Sequence, residues 1–584
     1  MLVVLFSWIV ISFVVISFGD ILISLLNYIC KKNEQYNIVD SFLLGTCAIA
    51  AILSMTSLWL PSNHYLLFAF IGIACIYWLA NKERVTAIHQ RIQEITSGIS
   101  KKNWVFIGVS VFALLIYMSW AAHVFDAVFY HYQNIRWNEE FAVVPGVANI
   151  ESRFGFNSNF LLVSAVFTFR FLFGEAIYTF QSVPVLLVLL WIFAELIRSN
   201  FELKRIILLV LFFFFFAVNI DYITDSSTDI IPNVFVFYLV ARLVLYPDIF
   251  KNSSLLYFLI PVSLFTFKVS SAPICIVSLG VLVYYLKRKD YNTLFTFIVL
   301  AFIVIVPWIS RTVIITGYLL YPLSAIDVFS FDWKLDKEVV DFESLGISVF
   351  ARGGFNDFVT FGYFMKWGFG TNKLFLMTIV IMMIMCLVTL VSPFVIGYKT
   401  IKKKYLPQSY YWMYIALLIY TIYWYALAPD FRFANGAFFG MTFLMISVVL
   451  SNKENFYPKL ANIVIVLFAS VMLLSSFKRI FNYYLLLYPT SVKEGRTPFY
   501  SALYIPYSSK DQAEARHVPQ EYSEYKMGDI TLFITSDKRQ GICYDVFPGG
   551  SSEPLTGHTR GPELSTIEPR GKTLQDGFKP KKQH

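Results

Sequence analysis

Through most of its length the chain alternates between two kinds of segment. Runs of roughly 17–25 apolar residues, each long enough to cross a bilayer as a helix, are separated by short stretches that hold the basic residues. Apolar residues make up 57% of the 584 positions and charged residues only 15%, against about 25% charged in an ordinary globular protein. A water-soluble core has no place for that much apolar surface. The pattern therefore excludes a soluble enzyme, a disordered chain, a coiled coil and a disulfide scaffold. It also excludes an outer-membrane barrel, whose strands alternate over about ten residues. The expected fold class is an all-α polytopic membrane protein.

About fourteen spans are expected by the length criterion, starting near Leu2, Ser41, Tyr65, Trp104, Ile177, Ile206, Ile230, Leu255, Ala272, Asn292, Lys373, Ser409, Ala434 and Leu460. The run Met1 to Phe18 has neither a basic leader nor a small-x-small cleavage site, so it reads as a retained first span. The formal net charge is +9, but Lys and Arg collect between spans, as in cytoplasmic loops, and not on a nucleic-acid face. Lys31 and Lys32, Lys82 through Lys102, Arg198 with Lys204 and Arg205, Lys251, Lys287 to Lys289, and Lys399 through Lys404 then share the cytoplasmic side. Both termini fall on the other side, the periplasm of a bacterial inner membrane. The run Phe160 to Gly174 would break this parity. It carries Arg170 at its middle, and a charge at mid-bilayer costs about 2.5–3.5 kcal/mol or more, so it is expected to lie in the interface as an amphipathic helix.

Three divisions follow: residues 1–103 as accessory membrane helices, 104–476 as the main membrane module with periplasmic loops 123–176 and 311–372, and 477–584 as a small mixed α/β periplasmic domain. A strand is expected from Asp529 to Thr535, and poor order after Gly549. Five of the six cysteines lie in or at the end of apolar runs, and Cys543 stands alone in the tail, so no disulfide framework follows.

The periplasmic segments carry the candidate chemistry. Asp126 lies about one turn past a span, in His123-Val-Phe-Asp-Ala-Val-Phe-Tyr-His131, followed by Glu139 and Glu140. Its carboxylate suits a general base taking a proton from a hydroxyl; a helix N-cap is the competing role. His123 and His131 lack the i, i+4 spacing of helical metal ligands, and His131 also reads as an ordinary interfacial residue. Asp221, Asp225 and Asp229 crowd one short turn, as a solvated cap or as oxygen ligands to substrate or a divalent cation. Lys268, Arg311 and Arg432 stand at the outer ends of spans, where positive charge is disfavoured, so each calls for an anionic partner: a carboxylate such as Asp430 or Asp126, or a lipid phosphate. Tyr318 and Tyr321 suit either an interfacial belt or stacking on sugar rings. No Gly-rich phosphate loop is present.

The order of these features resembles the GT-C class of integral-membrane glycosyltransferases, which includes protein mannosyltransferases and aminoarabinose transferases. The resemblance rests on Asp126 after the first span of a module, the stretch ending Arg170-Phe-Leu-Phe-Gly174, and the turn Asp225-Ser-Ser-Thr-Asp229. The words Pro307-Trp-Ile-Ser-Arg311, Gly317-Tyr-Leu-Leu-Tyr-Pro322, Phe331-Asp-Trp-Lys334, Ala428-Pro-Asp-Phe-Arg-Phe433 and the ending Arg570 to Phe578 resemble a narrower bacterial group associated with surface polysaccharides. The resemblance implies Asp126 as the catalytic residue and a polyprenyl-phosphate sugar donor whose phosphate meets Lys268, Arg311 and Arg432. His131, Glu139, Asp225, Asp229, Tyr318, Tyr321 and Asp430 complete the expected substrate contacts. The expected partners are that donor, a glycan or lipid acceptor and membrane lipids, with no nucleic acid. No cofactor is fixed by the pattern, and a divalent cation is one reading of the aspartates. The alternatives are a polysaccharide polymerase or ligase acting on lipid-linked oligosaccharide and, with less in its favour, a lipid-linked glycan transporter.

Overall fold

The computed structural model describes residues 1–34, 36–97, 99–119, 126–224, 226–352, 373–402, 406–450, 455–493, 522–535, 546–550 and 564–581. About 75% of it is helical. Helices begin at Leu2, Ile38, His64, Lys101, Ser182, Leu203, Ile230, Ser254, Cys275, Tyr291, Lys373, Gln408, Asn435 and Pro458, one over each apolar run. Among the described residues seven helical stretches are long and apolar enough to cross a membrane. Phe302, Leu390 and Phe394 are outward-facing on such helices, as a lipid-facing surface requires.

Helix Ile38–Thr56 lies at the centre of the bundle. A reciprocal cap starts it: Asn37 Oδ1 accepts the Asp40 N–H at 2.8 Å, and Asp40 Oδ2 accepts the Asn37 N–H at 2.9 Å. It packs on Leu2–Ile29, Ser254–Phe267 and Tyr291–Thr316, so the first two helices belong to the main bundle. Leu2–Ile29 crosses it at backbone contact. A Cβ on Gly45 would overlap the Val15 carbonyl, and small residues are what permit such crossings in membranes. Polar groups farther along are paired. Tyr238 Oη donates to Asp40 Oδ1 at 2.7 Å, Tyr246 Oη donates to the Glu195 carboxylate at 2.8 and 2.9 Å, and Asp20 pairs with Arg84 at 2.9 Å.

The run Phe160 to Gly174 departs from the interfacial helix expected of it. Helix Asn159–Val166 is buried on every side and packs on Ile38–Thr56 and Tyr132–Glu140. The chain then turns sharply at Phe169, whose φ is +52°, into the single turn Arg170–Phe173. Arg170 therefore reaches Glu139, with Nε 3.0 Å from Oε2, and avoids the apolar core.

The loop segments and the tail form one body at one end of the bundle. Their shared core includes Trp137, Val147 and Phe154 from the first loop, Tyr318, Tyr321, Leu335 and Val340 from the second, and Leu532, Ile567 and Phe578 from the tail. The tail holds an antiparallel hairpin, β1 (Tyr522–Met527) with β2 (Ile530–Thr535), and β3 (Gly549–Gly550) runs parallel to β2. β4 (Ile567–Pro569) pairs antiparallel with β5 (Phe578–Pro580). The strand expected at Asp529 to Thr535 is thus present. Disorder expected after Gly549 does not hold for residues 564–581, because Phe578 N–H bonds the Pro145 carbonyl at 3.0 Å and its ring is fully buried. Gly146 makes this seam. Its φ is +63°, and a Cβ there would overlap the Phe578 carbonyl. The Cys543 segment lies outside the described residues.

Candidate functional site

Four segments meet at the same end of the bundle and together deliver five charged side chains, Asp126, Asp229, Lys268, Asp430 and Arg432. The 3-10 turn Phe431–Phe433 presents Arg432. Asp430 caps that turn by accepting the Arg432 N–H at 3.0 Å, and its Oδ2 also lies 3.0 Å from Arg432 Nε. Asn233 holds the turn against the helix Ile230–Leu245: it donates to the Arg432 carbonyl at 2.7 Å and accepts the Gly436 N–H at 2.8 Å. Asp229 precedes that helix, and Lys268 follows Ser254–Phe267.

Asp126 sits where a cap would, at the head of the π-turn Ala127–His131, yet its side chain makes no cap bond. It accepts instead from Arg432 Nη1 at 2.7 Å. Burial would raise its pKa, but Arg432, with Arg153 and His131 nearby, holds it below the ordinary carboxylate value. Asp229 likewise makes no cap bond; it pairs with Lys268 Nζ and lies 3.8 Å from Arg432 Nε. Lys268 Nζ stands 3.8 Å over the Phe433 ring, and the Arg432 guanidinium lies 4.8 Å from it. Arg432 is held above its ordinary pKa by Asp126 and Asp430 against the opposing effect of burial.

Among the described residues three carboxylates, Asp126, Asp229 and Asp430, face two cations, Lys268 and Arg432. The cations therefore stand already neutralised. An anionic ligand would have to displace a carboxylate or meet one that has become protonated. His131 completes the cluster. It is 2% exposed, and neither ring nitrogen has a hydrogen-bond partner among the described residues. Burial, then Lys268 and Arg432, push its pKa down to about 3 against the pull of Asp126, so the imidazole is neutral with both nitrogens available.

Sequence reasoning passed over a second layer. Arg153 Nε lies 3.4 Å from Glu343 Oε1, Ser152 Oγ donates to Glu343 Oε2 at 3.0 Å, and Glu151 Oε1 accepts the Arg153 N–H at 3.3 Å. Burial pushes Glu151 up to about 7, with Arg153 opposing. Arg153 joins this layer to the first, since its charge also acts on Asp126. The signal in the sequence was Glu151-Ser-Arg153 within the first loop, but its partner Glu343 lies 190 positions away.

The remaining candidates stand apart from the cluster. Glu139 is bound to Thr168 and Arg170. Tyr318 and Tyr321 lie in the shared core, with Tyr318 Oη donating to the Leu335 carbonyl at 3.1 Å. Arg311 is 3% exposed and, among the described residues, donates only to neutral oxygens: Asn157 Oδ1 at 3.2 Å, Ser57 Oγ at 2.7 Å and Asn138 Oδ1 at 2.8 Å. Asp225 lies outside the described residues. No group of three or more His, Cys, Asp or Glu among the described residues is arranged to hold a metal ion.

No curated protein and no solved structure matches this chain. The model of one family, described as a domain of unknown function (DUF8201), matches residues 1–439, about three quarters of the sequence, and the chain belongs to that family.

Proposed function

We propose that the chain is a membrane glycosyltransferase of GT-C type. It moves a sugar from a polyprenyl-phosphate carrier to a glycan or lipid acceptor on the periplasmic face of a bacterial inner membrane. About fourteen spans follow from the lengths of the apolar runs, and periplasmic termini from the charge asymmetry of the loops. Nucleotide sugars are not found on that side, so a lipid carrier must supply the sugar.

The observation that carries this reading is the 2.7 Å contact between Asp126 and Arg432. It keeps Asp126 ionised and able to accept a proton, and it ties that proton to the leaving group. The acceptor hydroxyl oxygen attacks the anomeric carbon while its proton passes to Asp126. The bond from that carbon to the phosphate oxygen breaks, and the electron pair stays on the phosphate. Once protonated, Asp126 releases the Arg432 Nη1 donor it held, and that donor turns to the new phosphate charge while Asp430 and Asp229 stay paired with Arg432 and Lys268. His131 offers an acceptor nitrogen to orient the incoming hydroxyl.

The test is sugar transfer from labelled polyprenyl-phosphate sugars by purified protein. Asp126→Asn should lower turnover about 10²–10⁴-fold with the fold intact. A folded Asp126→Asn variant with full turnover refutes the assignment. The body of loops and tail beside the cluster also suits a larger acceptor. Rejection of single-sugar donors with acceptance of carrier-linked oligosaccharide would select the polymerase or ligase reading.

A further inference from the structure

Arg311 holds a buried positive charge that the cluster around Asp126 does not use. None of its three hydrogen-bond partners belongs to that cluster, and no carboxylate lies within ion-pair distance of it among the described residues. A guanidinium has five N–H donors, and three are engaged among the described residues, which leaves two. Neutral acceptors only partly repay the cost of removing a full charge from water, and a charge left so far uncompensated calls for an anion.

The space for one lies beside it. Arg311 lines a small, partly open cleft together with Asn134, Trp137 and Asn138. Trp137 is 5% exposed, and its indole N–H finds no acceptor among the described residues. The rest of the lining is apolar, including Val144, Val147 and Ile315. The lining thus combines residues that hold three spare donors among the described residues with an apolar remainder and no carboxylate. Arg311 meets the end of the helix Ile38–Thr56 at Ser57.

We propose that the Arg311 cleft binds an amphiphilic oxyanion, a carboxylate or phosphate attached to an apolar skeleton, at a site separate from the Asp126 cluster. The guanidinium fork takes two oxygens, the Trp137 N–H a third contact, and the apolar walls the adjoining carbons. This assignment stands whether or not the chain transfers sugars.

The experiment is thermal unfolding of the purified protein in an uncharged maltoside detergent, titrated with decyl phosphate, decanoate, inorganic phosphate and decanol. One of the two alkyl oxyanions should raise the melting temperature in a saturable way, with decanol giving no rise. Preference for decyl phosphate points to a lipid headgroup, and preference for decanoate to an organic acid. Arg311→Gln should abolish the rise. Trp137→Phe, which keeps the ring and deletes only the donor, should weaken binding about tenfold, as loss of one hydrogen bond to a charged group does. No rise with any oxyanion overturns the proposal. So does an equal rise in both variants. Should Arg311→Gln not fold, the Trp137→Phe titration decides: unchanged affinity there rejects the site.

Discussion

Two buried residues, His131 in the Asp126 cluster and Glu151 in the layer of Arg153 and Glu343, respond to pH with opposite sign. Glu151 has its pKa pushed up from 4.5 to about 7, because burial disfavours its charge. Folding is then penalised as the carboxyl ionises, so this group's penalty grows as pH rises from about 4.5 to 7, to about 3 kcal/mol. His131 is pushed down from 6.5 to about 3. The unfolded chain takes up its proton first, so stability falls as pH drops from 6.5 towards 3, by up to about 5 kcal/mol. Between about pH 4.5 and 6.5 the two effects oppose each other and flatten the profile. Glu151→Gln should remove that opposition, so that its melting temperature falls on acidification from pH 6.5, where wild type changes little. Melting curves for both proteins from pH 4.5 to 7.5 check this, and parallel profiles would refute it. The same residues show what a sequence reveals at this scale. Asp126, Lys268, Asp430 and Arg432 stood out because charge at the outer end of a span needs a reason. Glu151 and Arg153 did not, because a polar loop excuses any charge until its burial is known.

Among the elements, the run Phe160 to Gly174 is the one whose surroundings differ from the expected interface. A short apolar run has the same composition whether lipid or protein covers it, and periodicity cannot separate the two. Burial of all eight residues of Asn159–Val166 needs helices on either side that no local signal announces. Arg170 was expected to set this segment's depth in the membrane. It instead leaves the helix at the left-handed Phe169 and neutralises Glu139, a carboxylate 7% exposed. Burial raises the Glu139 pKa despite Arg170, so the pair is close to the limit of what one cation can hold. Arg170→Met should therefore destabilise by about 3 kcal/mol, the usual cost of stranding a buried charge. Adding Glu139→Gln should recover most of that loss. A double-mutant cycle read by chemical unfolding in detergent measures it, and additive losses would show that the contact contributes nothing.

At the scale of the molecule, composition divides the tail from the bundle at residue 477, while packing joins part of it to two loops. The helices were legible because bilayer length and loop charge act on each segment alone. The joined body was not, because its core is assembled from residues hundreds of positions apart, none of which forms an apolar run. Phe578 contacts Trp137 with ring centroids 6.2 Å apart and shares a core with Val147 and Tyr318. The strands β1 to β5 are only two to six residues long, too few to bury a core of their own. Residues 477–584 made alone should accordingly show no cooperative unfolding transition. In the full chain, Phe578→Ala should remove about 3–5 kcal/mol of buried ring packing. That loss falls on the seam and spares the helices. The variant should keep its helical circular dichroism while a protease cuts the tail faster. An isolated tail that unfolds cooperatively, or a Phe578→Ala chain cut at the wild-type rate, would mean that the tail folds by itself and only rests on the loops. A tail held to the first loop in this way is tied to the segment that carries Asp126, so loosening it should disturb the cluster as well as the seam.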